Sequence, residues 1–272
     1  MADRSGILYV DHSVGFWRGC HPIAIGCAQC YGEREMCRYG HDPHQVVRAR
    51  PATFYAPRKW NAAAAAAGQR RRVFVTPWSD FWIEEADAWR AEALALIREC
   101  TWLDFVSPSK RLDRAVGYAD GSALPPNFWP LASVSVQDDL DRAVPHLMSL
   151  DVTLRGLSYE PALGPLDLRP QAARALRILS RHYGPEGFDP TGSQPERERD
   201  NSRILDVDWV IAGGESGPNA RPLELEWLRV VRDQCARAGI AFYLKQLSGL
   251  HPEPAPRLDG RLHLALPIAR AA

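Results

Sequence analysis

Short apolar runs alternate with amphipathic segments along most of the chain. Each run contains β-branched or aromatic residues, ends in small or polar residues, and precedes a segment with apolar positions at helical spacing. This pattern predicts strands over 73–76, 102–106, 131–136, 152–157, 208–212 and 240–244. It predicts helices over 84–100, 112–118, 140–150 and 225–238. A strand followed by a helix, repeated along one chain, is typical of parallel β/α units.

Six to seven such units predict an α/β fold in which a mostly parallel sheet forms a partial or complete (β/α) barrel. A doubly wound open sheet is the alternative arrangement of the same units. We expect residues 1–272 to form a single domain, because this length fits one large domain. Residues 184–203 interrupt the pattern, since they are polar and punctuated by Pro and Gly, and are predicted to be a flexible insertion.

Polar residues directly follow several of the predicted strands. Because the carboxyl ends of parallel strands meet at one edge of a sheet, we expect these residues to surround a common ligand site. The candidates for catalysis are Glu160, Glu215 and Lys245. The candidates for cofactor binding at this edge are Ser79, Asp80, Ser135, Ser158, Gly213 and Gly214. The glycines belong here because a residue without a side chain lets the backbone approach a ligand closely.

Each of the strand-end carboxylates also has a plainer interpretation as one half of a structural ion pair. Several carboxylates that converge on one site repel one another unless cations join them. The available cations are Lys110, Arg111, Arg221 and Lys245.

Composition and charge narrow the functional classes. The 272 residues carry 33 basic and 33 acidic side chains, so no general polycation exists to attract nucleic acid or membranes. The hydrophobic share of 46% and the charged share of 24% are typical of a globular protein and not of a disordered one. No apolar run approaches the roughly 20 residues that span a bilayer, and the N-terminus lacks a secretory signal. We therefore expect a cytoplasmic protein without a membrane partner.

Three of the six cysteines lie close together near the N-terminus. Cys20, Cys27 and Cys30 have the spacing C-x6-C-x2-C within residues 16–31, and nearby Gly and Pro residues allow this loop to bend back on itself. In a reducing compartment such cysteines are thiols or metal ligands. Thiolates are soft ligands that suit zinc, cuprous copper and iron–sulfur clusters. The segment is therefore predicted to be a metal-binding loop.

The cysteine spacing leaves three kinds of centre open. An iron–sulfur cluster held by three cysteines keeps one iron free for chemistry. A structural zinc ion would need a fourth ligand. The candidates for that ligand are His21, His41, His44 and Cys37. In the third interpretation the cysteines hold no metal. Cys37 is expected to face the core, and Cys100 and Cys235, which lie in amphipathic segments, are expected to be buried.

Seven segments carry a resemblance to a known family. They are WRGCHPIAIGCAQCYGE, FVTPWSDFW, DFVSPSKR, ASVSVQDD, LSYEPALGPLDL, WVIAGGESGPNARP and FYLKQ, in this order between residues 16 and 246. In these motifs the chain resembles the phage-associated three-Cys-motif family. That group has no known function and is similar to radical S-adenosylmethionine enzymes. The resemblance covers most of the chain.

The resemblance implies a cofactor set and a reaction. It implies a 4Fe–4S cluster on Cys20, Cys27 and Cys30, S-adenosylmethionine as the second cofactor, and a partial barrel that resembles the radical S-adenosylmethionine fold. It also implies reductive cleavage of S-adenosylmethionine to modify a substrate, with a reductant protein as partner. Tyr31 follows the last cysteine, where the resembled enzymes carry an aromatic residue near the cofactor's adenine. Those enzymes usually space the cysteines C-x3-C-x2-C, so the first gap is longer here.

A locally basic stretch gives the rival interpretation. Residues 48–72 contain six arginines and one lysine, which would suit phosphate contacts with nucleic acid and also fit a solvated surface. One rival function is a nucleic-acid-binding module with structural zinc or a structural iron–sulfur cluster. The other is a metal-free barrel enzyme that works through Glu160, Glu215 and Lys245.

Overall fold

A parallel sheet forms the centre of the molecule. The computed structural model describes residues 5–119, 123–169 and 204–268, so the predicted insertion at 184–203 lies outside the described residues. In spatial order the strands of the sheet are β1 (His12–Val14), β4 (Arg71–Val75), β5 (Leu103–Ser109), β6 (Phe128–Val134), β7 (Gly156–Tyr159), β8 (Trp209–Gly213) and β9 (Ala241–Gln246). Each neighbouring pair is parallel. Two further strands, β2 (Trp17–Arg18) and β3 (Val47–Arg48), pair antiparallel with each other.

The strand order identifies the type of α/β fold. The strands follow one another across the sheet in chain order, without the reversal that a doubly wound sheet requires. The sheet is curled, and its edge strands β1 and β9 do not pair with each other in the part of the chain that is described, so it is a half-barrel. The predicted partial (β/α) barrel of parallel strands is therefore confirmed. The alternative of a doubly wound sheet is wrong.

Helices connect the strands. Within the described residues these are α1 (Tyr31–Arg38), α2 (Pro51–Phe54), α3 (Ala56–Ala66), α4 (Asp87–Glu99), α5 (Leu112–Ala119), α6 (Gln137–Ser149) and α7 (Leu225–Ala238). In α7, Leu228, Val231 and Cys235 recur at helical spacing and are buried. Gly239, with a left-handed φ of 70°, ends this helix. No helix within the described residues is both long and apolar enough to cross a membrane.

Alternation along the strands divides their side chains between two apolar clusters. Outward-facing residues such as Phe105 and Val210 belong to the larger cluster, which includes the buried faces of the helices. Inward-facing residues such as Val106 and Ile211 form a second cluster with the buried ring of Tyr9. This inner cluster is the floor of the half-barrel. Polar residues continue the same alternation towards the carboxyl ends of the strands, where the site lies.

Most predicted elements are present with shifted ends. The helix predicted over 225–238 has those bounds, and the six predicted strands correspond to β4–β9. β5 continues beyond its predicted end because its polar last residues, from Ser107 to Ser109, still pair with β6. α6 begins three residues early, at Gln137, with Asp138 and Asp139 in its first turn, where a helix favours negative charge.

The C-terminal segment covers one edge of the sheet. The backbone N–H of Leu244 donates to the oxygen of His263 at 2.8 Å, and that of Ala265 donates to the oxygen of Phe242 at 3.2 Å. These bonds occupy backbone groups of β9 that face away from β8. An edge strand covered in this way cannot pair with another chain.

Candidate active site

A cavity of about 550 Å³ lies at the carboxyl ends of the strands, a volume within the range of small-molecule sites. Cys20, Cys27 and Cys30 all line it. The other predicted residues that line it are Tyr31, Ser79, Asp80, Ser158, Glu160, Gly214, Glu215 and Lys245. Ser135 and Gly213 do not line it. The structure therefore brings together nearly all of the residues that were predicted from strand ends and from the cysteine motif.

The three cysteines lie on a loop that folds back against the strand ends. The backbone N–H of Cys20 donates to the oxygen of Pro43 at 2.8 Å. A short 3₁₀ turn over Ile25–Cys27 follows, and Cys30 occupies the N-cap position of α1.

The thiols are not arranged around one ion. Within the described residues, no three His, Cys, Asp or Glu side chains are placed to hold a single metal ion. Zinc would need its sulfur ligands about 2.3 Å from a common point. In a cluster each thiolate binds a different iron, so a cluster does not need the three thiols to meet at one point. His21 and His44, two of the candidates for the fourth ligand of a zinc ion, contact Glu85 (2.7 Å) and the backbone oxygen of Cys20 (3.1 Å) respectively.

The remaining cysteines do not belong to the site. Cys37 is exposed and does not line the cavity, so the expectation that it faces the core is wrong. Its neighbour Met36 takes the buried position on α1 instead. Cys100 and Cys235 are buried, as expected.

Arg111 links the cysteine loop to the strand ends. Its Nη1 donates to the Sγ atom of Cys20 at 3.6 Å and lies 3.4 Å from Oδ2 of Asp80. Asp80 also accepts hydrogen bonds from the Ser109 hydroxyl (2.7 Å) and the Lys110 backbone (2.9 Å). Burial raises the pKa of the Cys20 thiol to about 11, and the positive charge of Arg111 opposes that rise. Asp80 thus acts on the cavity by holding Arg111 against this thiol.

A glycine allows the cysteine loop to pack closely on its surroundings. The Ser79 hydroxyl donates to the backbone oxygen of Gly19 at 2.6 Å. Gly19 has a φ of 93°, in the left-handed region, and a Cβ added here would lie 2.2 Å from the backbone oxygen of Gln45. Only glycine therefore fits immediately before Cys20.

Gly19→Ala is expected to destabilise the chain strongly. Gly40→Ala is the matched control, because Gly40 also has a left-handed φ (72°) but an added Cβ would meet nothing within 4 Å. The left-handed conformation alone costs a residue with a Cβ about 1–2 kcal/mol. The clash adds about 1–3 kcal/mol at position 19 only. Chemical denaturation measures both losses, and equal values for the two variants would contradict the steric argument.

Glu160 and Lys245 form an ion pair inside the cavity. Oε1 of Glu160 lies 2.8 Å from Nζ of Lys245, although the angle is not that of a hydrogen bond. The Ser158 hydroxyl donates to Oε2 of Glu160 at 3.3 Å. Gly213 makes room for this carboxylate, since an added Cβ would lie 3.1 Å from Oε1. Tyr31 lines the cavity as well and is 40% exposed.

Glu215 is buried against Arg221. The Arg221 Nε atom lies 3.1 and 3.0 Å from the two carboxylate oxygens, and the Arg221 backbone N–H donates to Oε2 at 2.8 Å. Burial alone would raise the pKa of Glu215, but the hydrogen bonds and charge of Arg221 outweigh it and lower this pKa. The pair matches the interpretation of Glu215 as one half of a structural ion pair, and a catalytic role for this residue stays a prediction.

Thr76 and Ser133 also line the cavity and were not predicted. Ser133 accepts a hydrogen bond from the Lys110 amine. Thr76 has a φ of 48°, which is rare for a β-branched residue, and its buried hydroxyl has no hydrogen-bond partner within the described residues. Ser133 lies two residues before Ser135, so the alternation of side chains along the predicted strand places both on the same face and could have identified Ser133. Nothing in the sequence signals the backbone conformation of Thr76.

More than half of the basic side chains in the stretch 48–72 are in ion pairs. Four of its six arginines pair with carboxylates from other elements. The pairs are Arg48–Glu92 (2.8 Å), Arg58–Glu99 (3.0 Å), Arg70–Asp104 and Arg71–Asp11 (3.0 Å). This pairing favours the solvated-surface interpretation, and nucleic-acid binding through this stretch stays a prediction.

The sequence matches one protein family over nearly its whole length. Residues 4–264 match the profile of DUF5131, described as a protein of unknown function. The chain belongs to the DUF5131 family. None of the curated proteins matches this DUF5131 chain. The phage association that the sequence resemblance implies stays a prediction.

Solved structures share the fold of this DUF5131 chain at low sequence identity. Spore photoproduct lyase complexed with dinucleoside spore photoproduct is 13% identical, with a TM-score of 0.51 over 91% of this chain and 79% of that one. A mutant of the same enzyme with dinucleoside spore photoproduct is 12% identical, with a TM-score of 0.53 and the same coverage. Spore photoproduct lyase is a radical S-adenosylmethionine enzyme. The half-barrel of this chain thus matches the partial barrel of spore photoproduct lyase, and the likeness shows the fold alone.

Proposed function

We propose that this protein is an iron–sulfur enzyme of the radical S-adenosylmethionine type, which cleaves S-adenosylmethionine reductively to modify a substrate. One observation carries the proposal. Cys20, Cys27 and Cys30 line a single cavity at the carboxyl ends of the strands, in a half-barrel of the fold that radical S-adenosylmethionine enzymes use. Folds built from β/α units bind their ligands at that end of the sheet.

The three thiolates of this loop would hold three irons of a 4Fe–4S cluster and leave the fourth iron open to S-adenosylmethionine. When bound, the cluster supplies the electron for reductive cleavage of that cofactor, and a reductant protein would deliver the electron. The chain itself contributes binding, orientation and exclusion of water.

The cavity walls suit these tasks. Phe74 and Tyr243 belong to the inner apolar cluster and line the cavity, so they exclude water from the bottom of the cavity. Lys110 hydrogen-bonds to Ser133 and has no carboxylate partner in the described part of the chain, which leaves its charge for an anionic group of a ligand. Tyr31 lines the same cavity next to the last cysteine and is the proposed neighbour of the adenine.

The Glu160–Lys245 pair gives the same wall a carboxylate and an ammonium in contact. In the proposed function these two groups hold a ligand or move a proton beside it. Ser158 hydrogen-bonds to the carboxylate and fixes its direction. Ser79 and Asp80 contribute indirectly, since Ser79 holds the backbone before Cys20 and Asp80 holds Arg111.

Anaerobic reconstitution tests the proposal. We expect brown protein with about four irons per chain, and formation of 5′-deoxyadenosine after reductant and S-adenosylmethionine are added. Colourless protein loaded with zinc would overturn it in favour of a structural zinc module. Full turnover by a variant without the three cysteines would favour a metal-free enzyme that works through Glu160, Glu215 and Lys245.

A further inference from the structure

A loop after β8 reaches across to the cysteine loop. Residues 214–221, here called the clasp, contact it on both sides of the C-x2-C pair. Arg221 Nη1 donates to the backbone oxygen of Ile25 at 3.1 Å. Arg34 Nη2 donates to the backbone oxygen of Ser216 at 3.0 Å. Ile25 lies two residues before the pair and Arg34 four residues after it, so both ends of the thiol-bearing segment are held.

A buried carboxylate fixes the arginine of the clasp. Glu215 is only 6% exposed and accepts hydrogen bonds from both the side chain and the backbone N–H of Arg221. An arginine held at two points by a carboxylate has few orientations open to it, so its remaining N–H groups point in a fixed direction. That direction is towards Ile25.

The backbone of the clasp is anchored and shaped by glycine. The N–H of Gly217 donates to the oxygen of Gly249, and the N–H of Gly249 donates to the oxygen of Glu215, both at 3.0 Å. Gly217 has a φ of 102°, and a Cβ added here would lie 2.6 Å from the central guanidinium carbon of Arg34. Glycine at this position therefore lets Arg34 reach the clasp.

The clasp also joins distant parts of the chain where the sheet does not close. β1 and β9 are the edges of the half-barrel and do not pair with each other within the described residues. The bond from Arg221 to Ile25 spans 196 residues and links the segment after β8 to the loop that follows the first strands. The bond therefore holds the 3₁₀ turn at Ile25–Cys27 to the segment after β8.

We propose that the clasp positions Cys27 and Cys30 for the cluster. Glu215 orients Arg221, which holds the segment at Ile25. Arg34 holds the other end of the segment through its bond to Ser216. Glu215 and Arg221 are thus positioning residues that act through the cysteine loop. The part of this proposal that concerns the cluster rests on the proposed function. The ordering of the loop by the clasp does not depend on it.

The experiment compares Arg221→Met and the milder Glu215→Gln with Arg229→Met as matched control. Arg229 pairs with Asp259 on the exposed surface, 2.9 Å apart, and does not line the cavity. Hydrogen exchange of the backbone over residues 25–34 is measured first, in the chain without metal. Loss of a hydrogen bond from a charged group predicts roughly tenfold faster exchange or more in Arg221→Met, less in Glu215→Gln, and no change in Arg229→Met.

The second measurement uses the reconstituted protein. Iron should leave to a chelator about tenfold faster in Arg221→Met, and the electron paramagnetic resonance spectrum of the reduced cluster should change in both clasp variants. Unchanged exchange over residues 25–34 in Arg221→Met would overturn the ordering of the loop by the clasp. An unchanged spectrum and an unchanged rate of iron loss would overturn the effect of the clasp on the cluster. If the wild-type protein binds no cluster, the proposed function fails, while the exchange experiment still decides whether the clasp orders the loop.

Discussion

Alanine at Cys20, Cys27 or Cys30 will remove the cluster and leave the chain folded. The three side chains line the cavity and none of them is fully buried, so the sheet and its helices do not depend on them. Loss of a thiolate removes a ligand bond outright. Loss of a ligand's hydrogen-bond partner weakens metal binding by about 10–100-fold, and loss of the ligand itself costs more. We therefore expect the affinity for iron to fall by more than about 100-fold. Formation of 5′-deoxyadenosine should disappear together with the iron.

Cys37→Ala is the matched control for these variants. Cys37 lies seven residues beyond Cys30, is exposed and does not line the cavity, so its loss should leave iron content and product formation at the wild-type level. Iron and sulfide analysis, with circular dichroism for the fold, measures the outcome. Unfolding of Cys20→Ala would point to a structural metal site instead, because such sites supply folding free energy. Iron loss in Cys37→Ala would show that the ligand set is wrong.

The order of strands and helices could be predicted because most units carry a strong local pattern. The helix at 225–238 has buried residues at helical spacing, and its predicted bounds are confirmed. β1 was not predicted, because His12–Val14 is too short to show a pattern and is a strand only through its pairing with Val73–Val75. The choice between a partial and a complete barrel also depends on pairing between distant strands, which no local pattern contains.

The edge of the sheet that carries the site was predictable, but the partners of each side chain were not. Glu160 follows β7 and Lys245 lies in β9, so β8 runs between them. They meet because Gly213 of β8 has no side chain to separate them. Gly213 was predicted to let a ligand approach the backbone, yet it does not line the cavity and instead makes room for Glu160.

The contacts of Arg111 and Arg221 could not be predicted from the sequence either, because they join residues far apart in the chain. Arg111 reaches Cys20 across 91 residues, and Arg221 reaches Ile25 across 196. From the sequence both arginines were only cations available for pairing. The assembled fold determines which partners a long, flexible side chain can reach, so spacing along the chain carries no information about those partners.

Methionine at Lys245 will destabilise the chain, and glutamine at Glu160 in the same chain will recover most of the loss. Lys245→Met removes the cation from a carboxylate side chain that is only 14% exposed, which we expect to cost about 1–3 kcal/mol. Glu160→Gln then removes the unpaired charge. Neutral side chains of similar size replace ion pairs at little cost, so the double variant should lie within about 1 kcal/mol of the wild type.

We expect the ranking of these variants by activity to differ from their ranking by stability. In the proposed function the pair holds a ligand or moves a proton, so both single variants and the double variant should form 5′-deoxyadenosine about 100-fold more slowly or worse, with iron content unchanged. Chemical denaturation and product assays on the four proteins separate the two roles. Arg58→Met, which breaks the exposed pair with Glu99, is the control and should cost less than about 1 kcal/mol without slowing the reaction. A double variant as active as the wild type would reduce Glu160 and Lys245 to a structural ion pair.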